Sequence, residues 1–178
     1  MVGRFVTSVT KVQQRMAKMY NINMQLNDKI IPAGKVLIEI RDAKTGKLKS
    51  QDLVKNTFVT VGKNSIADAL RGTIGSNKGI ITWCAVGTNA TAPDVADTTL
   101  GTELFRKLVS VRSVAANVAT FQTYFTTAEA NGSLREAGLF GDDASVTPNS
   151  GTLFSMLAIN RTKSSSDTLT LTWSITIG

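Results

Sequence analysis

Two hydrophobic periods divide the chain. Over residues 1–28 the apolar positions Val9, Val12, Met16 and Met19 recur at steps of three, four and three, along one helical stripe, while Lys11, Arg15 and Lys18 line another. With Thr7 or Ser8 as its cap, this pattern predicts a short amphipathic helix. A helix of that length is marginal in water, so its stripe needs a cover, either its own domain or a neighbouring chain. It lacks the Trp and Leu anchors of a membrane-surface helix.

From Gly34 onward the period becomes two. The segment KVLIEIRDAKTGKLKSQDLVKNTFVTVG contains an extended run, a turn at 42–46 and a return run, which together predict a hairpin. KNSIADALRG predicts a short helix with Ile66, Ala69 and Leu70 on one side and Gly72 as the glycine that ends it. IITWCAV is almost continuously apolar and suits a central strand. LFRKLVSVRSV and VATFQTYFTT flank 115–117 as a second hairpin, and SLREAGLFG, GTLFSMLAI and DTLTLTWSITIG add three strands. The last alternates strictly, with Leu169, Leu171, Trp173, Ile175 and Ile177 on one face and Thr168, Thr170, Thr172, Ser174 and Thr176 on the other. The predicted fold is mainly β: an antiparallel two-layer β-sandwich over 29–178, with one short inserted helix and an N-terminal amphipathic helical arm over 1–28. One stretch fits neither period. AVGTNATAPDVADTTLGTELFRK, residues 85–107, is built largely from small residues and is far longer than a turn requires.

Composition narrows the chemistry. A 178-residue domain buries roughly 70% of its unfolded surface and needs no staple. Cys84 is the sole cysteine and lies inside an apolar run, so it reads as a buried thiol. There is no histidine, which removes imidazole ligands, the Ser-His and Cys-His nucleophile pairs and the commonest general base. No apolar stretch approaches the ~18 residues of a membrane helix, and no signal-peptide core is present, so a soluble product made in the cytoplasm is expected. The sequons at Asn89, Asn131 and Asn160 are then chance matches in a Thr- and Asn-rich chain. The net charge of +7 is uneven: residues 1–80 hold 14 Lys and Arg against 5 Asp and Glu, a net of +9, and residues 81–178 hold 6 against 8, a net of −2. A basic first half serves solubility, or contacts DNA or an acidic partner.

The candidate sites each have a structural alternative. GTIGSNKG, with Gly72, Gly75, Lys78 and Gly79, superficially resembles a phosphate cradle, but it follows a helix and lacks the Gly-Lys-Ser/Thr ending, so it reads as a turn. Asp94, Asp97 and Glu103, or Asp142 with Asp143, lack the regular spacing with which a loop gathers the about six to eight oxygens of a calcium site. Glu129 and Glu136 could be imagined as the acid and base pair of a glycosidase, but nothing else in the chain reads as a sugar cleft, which favours a structural role. Adjacent in a strand, Arg135 and Glu136 point to opposite faces, so each is expected to find a partner on another strand or another chain. Basic and aromatic residues are segregated along the chain, which leaves no stacking platform for single-stranded nucleic acid. No catalytic residue, cofactor or metal is expected.

Four segments in order, NTFVTVGKNSIADALRG, ITWCAVGTNATAPDVADTTLGTELFRK, NVATFQTYFTTAEANGSLREAGLFG and GTLFSMLAINRTKSSSDTLTLTWSITI, resemble a recurrent module of tailed-bacteriophage structural proteins found in tail fibres and in tail- or baseplate-associated proteins. The resemblance covers about residues 50–178. It implies a virion building block without catalytic activity: a tail or head-tail junction adaptor, ring or appendage subunit that assembles with itself and with other virion proteins. Many relatives are fused to longer fibres, whereas this sequence stops at Gly178. The expected subunit contacts are the stripe of Val9, Val12, Met16 and Met19, together with Arg135 and Glu136. The alternative is a glycan-binding module at the host surface, for which Tyr124 is the aromatic to test.

Overall fold

The computed structural model describes residues 32–72 and 78–178. The stripe residues Val9, Val12, Met16 and Met19, and Gly75, lie outside that range. The described elements are β1 (Pro32–Asp42), β2 (Leu48–Lys55), β3 (Thr57–Phe58), α1 (Thr60–Leu70), β4 (Ile81–Gly87), β5 (Glu103–Leu108), β6 (Val111–Ala115), β7 (Val118–Phe125), β8 (Gly132–Gly141), β9 (Thr152–Lys163) and β10 (Asp167–Ile177). They form two five-stranded antiparallel sheets, ordered β2-β1-β10-β7-β6 and β3-β9-β8-β4-β5. The expected sandwich with a single short helix is the fold of the described chain.

The alternating strands belong to the first sheet. Val36, Ile38 and Ile40 of β1 meet Leu169, Leu171, Trp173 and Ile175 of β10, all buried, and these side chains pack on Cys84, Val86, Ala137, Leu139, Phe154 and Leu157 from the second sheet. Each large aliphatic or aromatic side chain buried in this layer contributes about 1.5–3 kcal/mol relative to exposure. The second sheet is buried on its outer face too. There Ala85, Phe140, Leu153 and Met156 form a smaller cluster with Val59 and Leu100, which come from outside the sheet. Two buried faces explain why IITWCAV reads as an almost continuous apolar run while the strand at the chain end alternates.

Two predicted strands are divided differently in three dimensions. The return run after the first turn ends at Lys55; past Asn56 the chain crosses to the second sheet, pairs Thr57 and Phe58 with Met156 and Ser155, and enters α1 at Thr60. The helix therefore starts earlier than KNSIADALRG implies. Gly62 is the reason it fits, since a Cβ there would lie 2.5 Å from the Phe154 Cα. At the far end Gly72 has φ +73 and donates its N–H to the Ala69 carbonyl at 3.0 Å, the expected stop. Likewise LFRKLVSVRSV is two strands, β5 in the second sheet and β6 in the first. The crossing lies at Val109 and Ser110, whose N–H groups go to Thr82 at 2.9 Å and Gln122 at 2.7 Å, one in each sheet, while the Val109 side chain packs on the core. The hairpin turn at 115–117 forms as expected, with Ala115 paired to Val118.

The β1–β2 and β9–β10 turns are pinned together by Lys49, which lies 3.3 Å from Asp42 and 2.6 Å from Asp167. Thr45 donates its N–H and hydroxyl to Asp42, both at 2.9 Å, and with Lys49 holds that carboxyl at about 2. Lys49, together with Ser164, brings Asp167 to about 2 as well. Both folded values lie below the unfolded one near 3.9, so the stabilisation is fully present above about pH 4 and is lost as pH falls through about 2. Urea midpoints measured between neutral pH and pH ~2 should decline over that window. Lys49→Met should flatten the decline, and a slope unchanged by the substitution would contradict the assignment.

Candidate assembly surface

The small-residue stretch after β4 is a closed loop wrapped around one carboxylate. Glu136, on β8 opposite Gly87, is 2% exposed. Its Oε1 accepts the N–H of Asn89 at 3.2 Å and of Thr102 at 2.8 Å, and its Oε2 accepts that of Gly101 at 2.9 Å. The two ends of the loop also bond directly, Thr88 N–H to Thr102 carbonyl, at 2.9 Å. Larger residues would not fit: a Cβ on Gly87 would stand 2.3 Å from Glu136 Oε1, and one on Gly101 would fall inside the Asn89 carboxamide. Asp94 and Asp97 shape the tip, Asp97 accepting the Asp94 N–H at 2.7 Å and Asp94 the Ala96 N–H at 2.8 Å. So anchored, the loop delivers Leu100, 1% exposed, onto the outer face of the second sheet. Asn149 grips Leu100 from the other side, accepting its N–H at 3.1 Å and donating to its carbonyl at 3.3 Å.

A buried ion pair lies beside this loop. Gly87 pairs with Glu103 and Ala85 with Arg106, so a bulge in β5 brings side chains three residues apart onto one face. The Arg106 guanidinium meets Glu103 at 2.6 and 2.8 Å in a two-pronged contact, with side chains only 4% and 2% exposed. Its remaining nitrogen donates to the Ser145 carbonyl and the Ser150 hydroxyl, both at 2.9 Å, and its plane lies 4.7 Å from the Phe140 ring centroid. Glu103 also accepts the Asn149 N–H at 2.9 Å. Such a pair contributes little net stability, but removing one member strands a charge at a cost of about 3–5 kcal/mol.

The other candidate carboxylates serve similar ends. Asp142, 6% exposed, accepts the Gly79 N–H at 2.9 Å, the Ser65 hydroxyl of α1, and Lys78 at 3.4 Å. The glycine turn that resembles a phosphate cradle thus presents its N–H to a carboxylate of its own chain. Glu129 is held by Lys107 at 2.8 and 2.7 Å and accepts the Thr126 N–H at 2.8 Å, which makes it a partner of Lys107 and not of Glu136. Among the described residues no group of three metal-ligating side chains converges. Burial pushes the Cys84 thiol up to about 12, which makes it inert.

Of the expected contact residues, Glu136 is buried within the described chain, with its donors in its own loop. Arg135 is half-buried and donates to the Asn160 side chain and the Leu134 carbonyl. Sequence reasoning did not find Arg106 or Lys163 as buried polar groups, nor the half-buried Asn149. The signal available was Arg106 within the apolar run of LFRKL, which a bulge alone turns inward.

Among the described residues nothing covers the outer face of the first sheet and its edges. All five residues of β6 are exposed, Val111 at 47% and Val114 at 75%. At the opposite edge Leu53 of β2 is 64% exposed. Register links these edges by a row running Leu53, Leu37, Thr172, Gln122, Val111 across all five strands, with Tyr124 exposed beside it. Lys35 and Lys55 stand directly opposite each other at one end of β1 and β2. In the first half of the chain, by contrast, Arg41, Lys49 and Lys78 are engaged by Glu39, Asp42, Asp167 and Asp142. Among the described residues no helix is long and apolar enough to cross a membrane. Compared with family models, curated proteins and solved structures, the chain matches none.

Glu136→Ala would leave three loop N–H groups without their acceptor. It is expected to cost roughly 2–4 kcal/mol in urea unfolding and to speed amide exchange at Asn89, Gly101 and Thr102 selectively. Exchange that rises uniformly, or not at all, would show that the loop does not depend on the carboxylate.

Proposed function

We propose that this chain is a non-enzymatic structural subunit of a bacteriophage virion, a tail or head-tail junction adaptor, ring or appendage component that assembles with copies of itself and with neighbouring virion proteins. The observation that carries the reading is the first sheet, whose outer face no described residue covers. Its edge strand β6 is exposed along its whole length and carries two valines, the kind of edge that pairs with another chain. The resemblance over about residues 50–178 supports it from the sequence side. The carboxylates considered for chemistry support it as well, because Glu103, Glu129, Glu136 and Asp142 are each engaged by donors of the chain itself. Residues 1–28 supply a second contact in this reading, and the Lys35–Lys55 pair marks where DNA or an acidic partner would touch the basic half.

Light scattering behind size-exclusion chromatography tests the assembly. The full chain is expected to run as a homo-oligomer, and removal of residues 1–28 or the change Val114→Lys should each shift it toward monomer. A monomer for the full chain, also absent from purified particles by mass spectrometry, would overturn the reading.

One feature favours the alternative of a host-glycan module: Tyr124, 45% exposed, lies on a face of Thr and Gln side chains, where Gln122 donates to Thr172 at 3.1 Å. Under that reading a glycan array gives binding that Tyr124→Ala abolishes; the structural reading expects no such binding.

A further inference from the structure

Among the described residues Lys163 is the one lysine buried almost completely, at 1% exposure, at the end of β9. Among the described residues the nearby carboxylates are paired elsewhere, Asp167 with Lys49 and Glu129 with Lys107. Instead Nζ lies 2.8 Å from Asn131 Oδ1 and 3.4 Å from the Ser164 carbonyl. A buried cation whose hydrogen-bond partners are neutral is costly. Burial acts on Lys163 by lowering its pKa against the opposing charges of Asp167 and Glu129. Once deprotonated, the amine is a nucleophile, and the group it touches is a carboxamide.

The carboxamide is held in place. Asn131 Nδ2 donates to the Thr127 carbonyl at 2.8 Å, which leaves Oδ1 directed at Lys163. The backbone on either side is unusual, Ala130 with φ 54 and Gly132 with φ +138, and Gly132 is the register partner of Lys163 across β8 and β9. A positive φ at alanine is sparsely populated and persists only where the surroundings hold it. Asn131 itself is exposed, so its amide nitrogen has a route to solvent.

We propose that Lys163 and Asn131 form an intramolecular isopeptide bond. The Nζ lone pair attacks Cγ of Asn131, the Cγ–Nδ2 bond breaks, and the proton lost by Nζ passes through solvent at the exposed side to the departing nitrogen, which leaves as ammonia. No electron is gained or lost overall, and no co-reactant is required. The product replaces a buried ionisable amine by a neutral amide and ties the start of β8 to the end of β9. By the loop-closure argument that applies to disulfides, this stabilises the fold through its unfolded state. For a particle component it would be a covalent strut across the second sheet.

Intact mass spectrometry of the full-length chain provides the test, with peptide mapping after trypsin. The expected result is a chain lighter by one ammonia, no cleavage after Lys163, and a branched peptide joining the segments of Lys163 and Asn131. Lys163→Arg and Asn131→Ala, each checked for native circular dichroism, should restore the full mass and lower the melting temperature. A wild-type chain of full mass would overturn the proposal without any variant. So would loss of ammonia that persists in Lys163→Arg with no branched peptide, since Asn131 can instead close a ring on the Gly132 nitrogen.

Discussion

The second sheet has apolar side chains on both faces, and the rest of the structure follows from covering them. The first sheet covers one face in the ordinary way of a sandwich. The other is covered by α1 and by the loop over 88–102, and a loop can serve as a cover only if its own polar backbone is satisfied. Glu136 meets that condition. Placed on the sheet beneath the loop, it takes three N–H groups at once and fixes the two loop ends next to each other. The glycines at 87 and 101 let the backbone come this close, and Leu100 then fills the space above Phe140 and Met156.

A second layer of polar contacts holds the neighbouring segments to the same face. Glu103 and Arg106 draw in the 142–151 loop through Asn149, Ser145 and Ser150, and Asp142 fastens α1 through Ser65. These groups are charged, buried and mutually satisfied, which is the condition under which burial of charge is tolerated. Among the described residues one sheet is covered on its outer side, and the other is uncovered, Thr-rich and bounded by exposed valine and leucine edges. The assembly role we propose uses the open side, and the proposed Lys163–Asn131 bond would stiffen the closed one.

Much of this architecture was legible beforehand. Strict alternation in DTLTLTWSITI identified β10 and its wet face, the 42–46 turn and the 115–117 turn located both hairpins, and Gly72 ended the helix where expected. The two crossings between sheets were not legible. At Asn56 and again at Val109 the apolar and polar residues continue without a break, because a strand that changes sheets keeps the same inward and outward sides relative to the core. Glu136 was singled out for the right reason, a charge that needed a partner, but its partners are backbone N–H groups 34 to 47 residues away, and backbone carries no side-chain signal.

By itself the sequence determined the mainly β class, the short helix inserted between the strands, the buried thiol, and which strands have one wet face, since each of these depends on side-chain period and local turn chemistry. Only the tertiary structure decided that the small-residue stretch closes around Glu136, that a bulge turns Glu103 and Arg106 to one side, and that Lys163 meets Asn131. Those contacts join positions far apart in the chain or displaced by a single bulged residue, and their geometry exists only once the sheets have packed.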